Sequence, residues 1–409
     1  MNQRFLLSTM FASISLFSTA QYASQTYAIT GNSNGDFSWR NIRQVDISSG
    51  KVVKDVFISG SSARLLDGTS GKQLSSAEAE NISSNDYVAA SAFDVRSNKL
   101  FYSTLHTGQL RWVDLSNKSG QLSIYARPQQ FVSSADITDE SINITRMCIG
   151  ADGNGYALTN DANHLYRFTT DSKVVVTDLG NLVDAEANHG ISVHNKCTSW
   201  GGDMVADAFG KLYLITANHI VFTIDINSRV ATYLGTISGL PGTYTTNGAA
   251  VDDNGDIVVN SSLSKEGYYK VKLAGLFATK IENSDKTYSV SDLANGNLLL
   301  QKEADALRNT GGQAILPVAS LNIGNGHIYP NPITNSVFNV SFDGLQTGKY
   351  LIKVTELSGK LIMTKSVNIG IPGQVEKVTL TPMLSQGMYF VKVESDDKRN
   401  AFMEKIIVN

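Results

Sequence analysis

Cysteine is almost missing from this 409-residue chain: only Cys148 and Cys197 occur. A disulfide-stapled scaffold is thereby excluded, since such scaffolds carry several pairs in a much shorter chain. The two thiols can form one bridge or stay free, and no Cys-x-x-Cys spacing points to a metal site. Proline is scarce too, with seven residues, two of them at Pro330 and Pro332. Charged residues make up 17% and the net charge is −3, without any run of Lys or Arg. That balance excludes the basic footprint needed for nucleic acid or an anionic membrane surface. Beyond the N-terminus no apolar stretch is long enough for a membrane-spanning helix. Also absent are a G-x-S-x-G elbow, an HExxH pair and a Gly-rich phosphate loop, so no cofactor is expected. What remains is 42% apolar residues, enough for a real core.

The first twenty residues have the layout of a signal peptide. Arg4 is the charged residue of the n-region, an apolar stretch follows, and Ser18-Thr19-Ala20 places small residues where signal peptidase reads. Gln21 would begin the mature chain. No cysteine follows the cut, so a lipoprotein anchor is not expected.

From residue 21 to 310 the pattern is strand, tight turn, strand, with no sustained helical period. Two units repeat. In the first, a small or apolar residue and an Asp precede a turn and an aromatic-rich strand. It occurs at Phe93-Asp94, Ala151-Asp152, Ala206-Asp207 and Val251-Asp252, with a fifth copy running from Asp292 to Leu300. The second unit occurs at Val45-Asp46, Val113-Asp114 and Ile224-Asp225, with a relaxed copy at Phe168-Thr169. Asp, Asn and Gly suit such turns because they accept positive φ or cap the backbone locally. About four strands per repeat is a propeller blade. The N-terminal piece has the second unit and lacks the first; the C-terminal piece has the first and lacks the second. Joined, they make one blade that closes the ring. The expected fold is therefore all-β, with a β-propeller of five or six blades, the sixth arising if the two end pieces stand apart. The turn pattern resembles propellers with NHL-type or gluconolactonase-type repeats.

A linker at 311–325 leads to a segment of about seven short strands, 326–409, expected to be a small immunoglobulin-like β-sandwich. It opens with Tyr329-Pro330-Asn331-Pro332, where the prolines are expected to fix an extended start. It continues through Gly387-x-Tyr389 and closes on an apolar strand containing Lys405. In order and spacing these residues resemble the type A C-terminal sorting domain of the type IX secretion system. The resemblance implies a Gram-negative cell of Bacteroidota type and a location in the medium or on the outer surface. It also implies the secretion machinery and its sortase-like protease as partners, with no membrane span left after signal cleavage.

Chemistry is harder to find. Trp39 and Trp200 sit near Gly-rich turns and are candidates for stacking on a ligand, whereas Trp112 reads as core. His189 and His194 lie five apart in one polar loop segment with Cys197; the spacing matches no zinc set, and the two imidazoles join Trp39 and Trp200 as candidates for contacting a ligand. Asp252-x-Asn254-x-Asp256 lacks the distal Glu of a calcium loop and reads as a hairpin turn. Long inter-blade loops at 59–86, 127–144 and 180–199 favour a binding or adhesion module for an extracellular glycan or protein. The alternative is an extracellular hydrolase or lyase acting on polysaccharide or lactone in the propeller channel. On the sorting reading, a chain lacking 326–409 still leaves the cytoplasm but stops in the periplasm. Fractionation with an antibody to the propeller checks this, and normal surface or medium levels of the truncated chain would overturn it.

Overall fold

The Asp-led turns explain why the strands fold back where they do. Asp94, Asp152, Asp207 and Asp252 each accept a hydrogen bond from the backbone N–H two residues on, at 3.1, 3.1, 2.9 and 2.8 Å. Each thereby caps the hairpin between the first and second strand of a blade. Asp46, Asp114 and Asp225 do the same between third and fourth strands, and Thr169 takes that place through its hydroxyl. Asp252 also pairs with Lys270, so the Asp-rich turn after it is a hairpin, as expected.

The computed structural model describes residues 25–79, 86–105, 107–116, 122–126, 131, 139–171, 173–282, 287–309, 326–333, 336–342, 345–356, 361–371, 373–380, 384–395 and 401–408. The signal segment, the linker and most of 127–138 lie outside the described residues. Five antiparallel sheets are arranged as blades. Their innermost strands are Val290–Ala294, Val88–Asp94, Ile144–Ile149, Asp203–Ala206 and Gly248–Val251, here blades 1 to 5. Each innermost strand touches the next, and the fifth touches the first, so the ring is closed.

Blade 1 is built from both ends of the ring. Val290–Ala294 pairs with Thr26–Thr30, which pairs with Asn41–Val45 and then Val52–Phe57. The expected closure is therefore present, and the count is five blades. Thr26–Thr30 takes the strand position beside Val290–Ala294, and Leu298-Leu299-Leu300 does not. Leu299 instead makes a parallel bridge to Asp207, and the chain continues as the helix Gln301–Asn309. One expectation about the fifth repeat copy fails. Asp292 lies inside the innermost strand, and the turn position belongs to Asn295, whose Oδ1 accepts the Asn297 N–H.

Two of the long loops carry structure of their own. Arg64–Asp67 adds a parallel fifth strand outside Ser123–Ala126 in blade 2, and Val183–Asp184 adds one outside Val230–Thr236 in blade 4.

No single core serves the ring. Apolar side chains collect in five clusters, one at each seam between neighbouring blades. At the seam of blades 2 and 3, Phe101 sits 5.7 Å from Trp112 and 5.2 Å from Phe168, ring centre to ring centre. Trp112 is core, stacked on Tyr125.

The C-terminal segment is a sandwich of two sheets. Ile328–Tyr329, Val337–Ser341 and Val375–Thr379 form one. Leu361–Ile369, Gly348–Glu356, Gly387–Ser395 and Ala401–Val408 form the other. They share one buried core that includes Phe338, Val340, Ile352, Val391 and Ile406. Gly-x-Tyr occurs twice here, at Gly348 and Gly387, each opening a nine-residue strand. Tyr350 and Tyr389 each donate a hydroxyl to the carbonyl four residues back, at 2.7 and 2.8 Å. The repeat of this device was present in the sequence and went unread.

Phe101→Ala removes the ring that joins blades 2 and 3 and should cost about 3–5 kcal/mol. Urea unfolding of the mature chain checks this; a loss under about 1 kcal/mol would mean the seam does not depend on it.

Candidate functional site

Small residues line the centre of the ring. Ala92, Ala206, Ala249, Ala250 and Ala294, with Met147, Cys148, Met204 and Leu293, leave a cavity of about 20 Å³.

Two carboxyl groups stand in that wall, both fully buried. Asp203 accepts the N–H of Met204 at 2.7 Å, of Ala249 at 2.7 Å and of Leu293 at 3.3 Å. Asp292 accepts the N–H of Ser91 at 2.9 Å and the Ser91 hydroxyl. The pair therefore grips inner strands of blades 5, 1 and 2 from blades 4 and 1. Burial pushes both carboxyls well above the usual range, and repulsion from Asp292 adds to the effect on Asp203. Two such neighbours in a dry wall resist full ionisation, so the pair retains a proton that exposed carboxylates would lose. Sequence reading missed both residues in this role, because Asp203 and Asp292 occupy positions where the other inner strands carry uncharged residues.

At the end where the inner strands begin, loops form a face around the channel. Arg146 ties it together from below. It is completely buried and donates to the carbonyls of Gly201 at 3.1 Å, Thr159 at 2.9 Å and Ser199. Burial lowers its pKa to about 9. At the seam of blades 1 and 2, the loop between Thr30 and Asn41 carries Phe37, Trp39 and Arg40. Phe37 is half exposed, with its ring 5.7 Å from that of Trp39. Trp39 has φ +23°, and its carbonyl accepts the Val88 N–H at 2.9 Å. The Arg40 guanidinium lies 4.1 Å from the centre of the Tyr87 ring.

The other expected site residues are not gathered there. Trp200 leads into blade 4, two blades from Trp39, and is half-buried with the Lys196 ammonium 4.8 Å from its ring. Its indole N–H is buried without a partner. Both ring nitrogens of His194 face backbone carbonyls, Asp161 at 2.7 Å and Leu182 at 3.1 Å, which leaves neither free for a ligand. His189 is exposed and ends a short turn with φ +50°. Among the described residues no group of three or more His, Cys, Asp or Glu side chains is placed to hold a metal ion. The bridge between Cys148 and Cys197 is not formed: Cys148 is buried and Cys197 exposed. Cys148 sits near the turn-side end of its inner strand, whereas Cys197 lies in the loop above the start of the next, so the strand length separates them.

In the C-terminal sandwich, residues 76 apart in sequence meet. The segment 330–332 bends instead of running extended, and turns the chain along the last strand. Asn331 Oδ1 accepts the Ile407 N–H at 2.9 Å, and the Ile333 N–H reaches the Ile407 carbonyl at 2.7 Å. Gly387 pairs with Val408, Tyr389 with Ile406 and Phe390 with Lys405. Glu404 accepts the Ile328 N–H at 2.8 Å, and burial raises its pKa to about 7.

A pH dependence follows from the channel pair. A carboxyl whose pKa is higher folded than unfolded binds its proton more tightly in the folded chain. Its contribution is complete below the unfolded value, about 4, and is lost as pH rises toward the folded value. Asp292→Asn keeps an oxygen for Ser91 and removes one charge. Melting curves from pH 4 to 8 should therefore fall less steeply for the variant than for the parent. Parallel curves would mean that the two carboxyls are not coupled.

Comparison with known proteins gives one family match, "Secretion system C-terminal sorting domain", over residues 327–409. No curated protein matches the chain. Among solved structures, PorZ of Porphyromonas gingivalis, described as an essential bacterial surface component of the type-IX secretion system, aligns at 15% identity and a TM-score of 0.32. That alignment covers 94% of this chain and 51% of PorZ, so the chain spans about half of PorZ's length. A putative 6-phosphogluconolactonase from Bacteroides uniformis aligns at 10% identity and a TM-score of 0.35, covering 68% of this chain and 72% of that one. Virginiamycin B lyase from Staphylococcus aureus aligns at 9% and 0.31, covering 94% and 95%. Likenesses this low carry no functional argument. The family match does: residues 327–409 are a secretion-system C-terminal sorting domain, and the chain is exported by the type IX route to the cell surface or beyond.

Proposed function

We propose that the exported propeller is a binding module that holds an extracellular ligand on the face where its inner strands begin. One observation carries this reading. A cavity of about 20 Å³ lies between the inner strands, room for about one water, while the face where those strands begin presents the partly exposed rings of Phe37 and Trp39 with the Arg40 guanidinium. Asp203 and Asp292 are fully buried, and their hydrogen-bonded oxygens hold neighbouring inner strands together. Their geometry is that of braces, and this pair is not exposed to serve as the acid or base of the hydrolase or lyase alternative.

In this reading 1–20 is removed as a signal peptide, 21–310 is the cargo, 311–325 a linker, and 326–409 an address read by the secretion machinery and cut by a sortase-like protease. Tyr329, Pro330, Asn331, Pro332, Gly387, Tyr389 and Lys405 form the recognised end of the sandwich. The hydrogen bond from Ile407 to Asn331 supports this, because it ties the first landmark to the last strand.

Asn331→Ala should leave the sandwich folded and reduce export, measured as the fraction of chain outside the cell. Unchanged export would remove Asn331 from the address. For the cargo, the mature chain is screened on glycan and surface-protein arrays. Discrete binding that is lost in Trp39→Ala supports the module, and silence across both arrays overturns it.

A further inference from the structure

We infer that the loop between Thr30 and Asn41, with Tyr87, is a subsite for a carboxylate-bearing sugar, so that the ligand of the proposed binding face is an acidic glycan. This rests on the binding reading above and adds the chemical class of the ligand.

Three arginines stand at the closing seam, and two are satisfied within the chain. Arg43 bonds to Asp55 at 3.0 Å, and Arg111 to Asp86 at 2.7 Å. Arg40 has no carboxylate partner among the described residues, and its Nε is buried without a hydrogen bond. Its guanidinium carbon lies 4.1 Å from the centre of the Tyr87 ring, a cation–π contact that helps hold it in place. A planar guanidinium without a carboxylate partner among the described residues is complementary to a carboxylate from outside, which it can bind through two parallel hydrogen bonds.

The rest of the loop suits a sugar ring. Phe37 is 50% exposed and stands edge-on to Trp39, an apolar surface for the C–H face of a pyranose. Trp39 holds φ +23°, a strained conformation for a bulky residue, and such strain persists where surroundings impose it at functional positions.

The loop is also built in advance. Asp36 accepts the N–H of Asn32 at 2.8 Å and of Ser38 at 3.0 Å, together with the Ser38 hydroxyl. Arg43 donates to the Gly31 carbonyl at 2.8 Å. Gly31 approaches so closely that a Cβ there would lie 1.9 Å from the Asp36 carbonyl oxygen. A loop ordered before binding loses little freedom on binding. The flat fork of Arg40 favours a planar carboxylate over a tetrahedral sulfate.

The mature chain is titrated calorimetrically with polygalacturonate, alginate and hyaluronan, with the methyl ester of each bound polymer, and with dextran sulfate. Expected is binding to at least one polyuronate, weakened about tenfold or more by esterification. Arg40→Gln should show the same loss on the acid form and no longer distinguish acid from ester. Arg40→Lys, which keeps the charge without the fork, should fall between. Phe37→Ala should weaken acid and ester alike, and all variants should keep the parent melting temperature. Wild-type affinity in Arg40→Gln, equal binding of acid and ester, preference for dextran sulfate, or no retention on any polyuronate would each overturn the inference. In the last case, Trp39-dependent binding of a neutral glycan or a protein would leave the binding reading standing.

Discussion

Everything in the cargo depends on the antiparallel pairing of Val290–Ala294 with Thr26–Thr30. Each blade buries apolar side chains only against its neighbours, so an open ring would leave two cores uncovered and sheet surfaces bare. Pairing the first strand of the ring with the last joins the chain ends inside one sheet. The contacts it secures lie more than two hundred residues apart, among them the bond from Ser91 to Asp292. Loop closure over that distance is costly in entropy, and the seam clusters must offset it together.

The centre of the ring follows from the same closure. Five inner strands converge, and alanine and glycine let them approach. The backbone N–H groups that face inward from one strand need acceptors on another. Asp203 and Asp292 supply them, at the cost of burying two acids side by side. Keeping a proton on the pair lowers that cost, because a neutral carboxyl still accepts a backbone hydrogen bond. The channel is consequently a brace, and interaction with the surroundings is left to the loops above it.

The sorting domain solves a different problem with similar means. Its last strand lies at a sheet edge, where unpaired backbone groups are exposed. Asn331 and Ile333 cover part of that edge by bonding to Ile407, so the opening motif and the chain end form one surface. The doubled Gly-x-Tyr gives the two central strands the same start and the same tyrosine latch.

Local chemistry was legible without coordinates. The turn Asp residues, the blade repeat, the split closing blade and the ordered sorting landmarks are short-range patterns, and each reports a backbone requirement met within a few residues. The core place of Trp112 was readable for the same reason. What stayed hidden depended on which strands become neighbours. Asp292 looked like another turn residue until its strand was seen lining the channel opposite Asp203. Arg40 is set apart only by the ion pairs that Arg43 and Arg111 make with Asp55 and Asp86. Cys148 and Cys197 belong to adjacent blades, yet they sit toward opposite ends of those blades. Sequence by itself determined the export address and the propeller repeat, because both are written in local spacing. Only the tertiary structure decided the number of blades, the buried acid pair and the unpaired arginine, because each is a relation between residues that closure of the ring brings together.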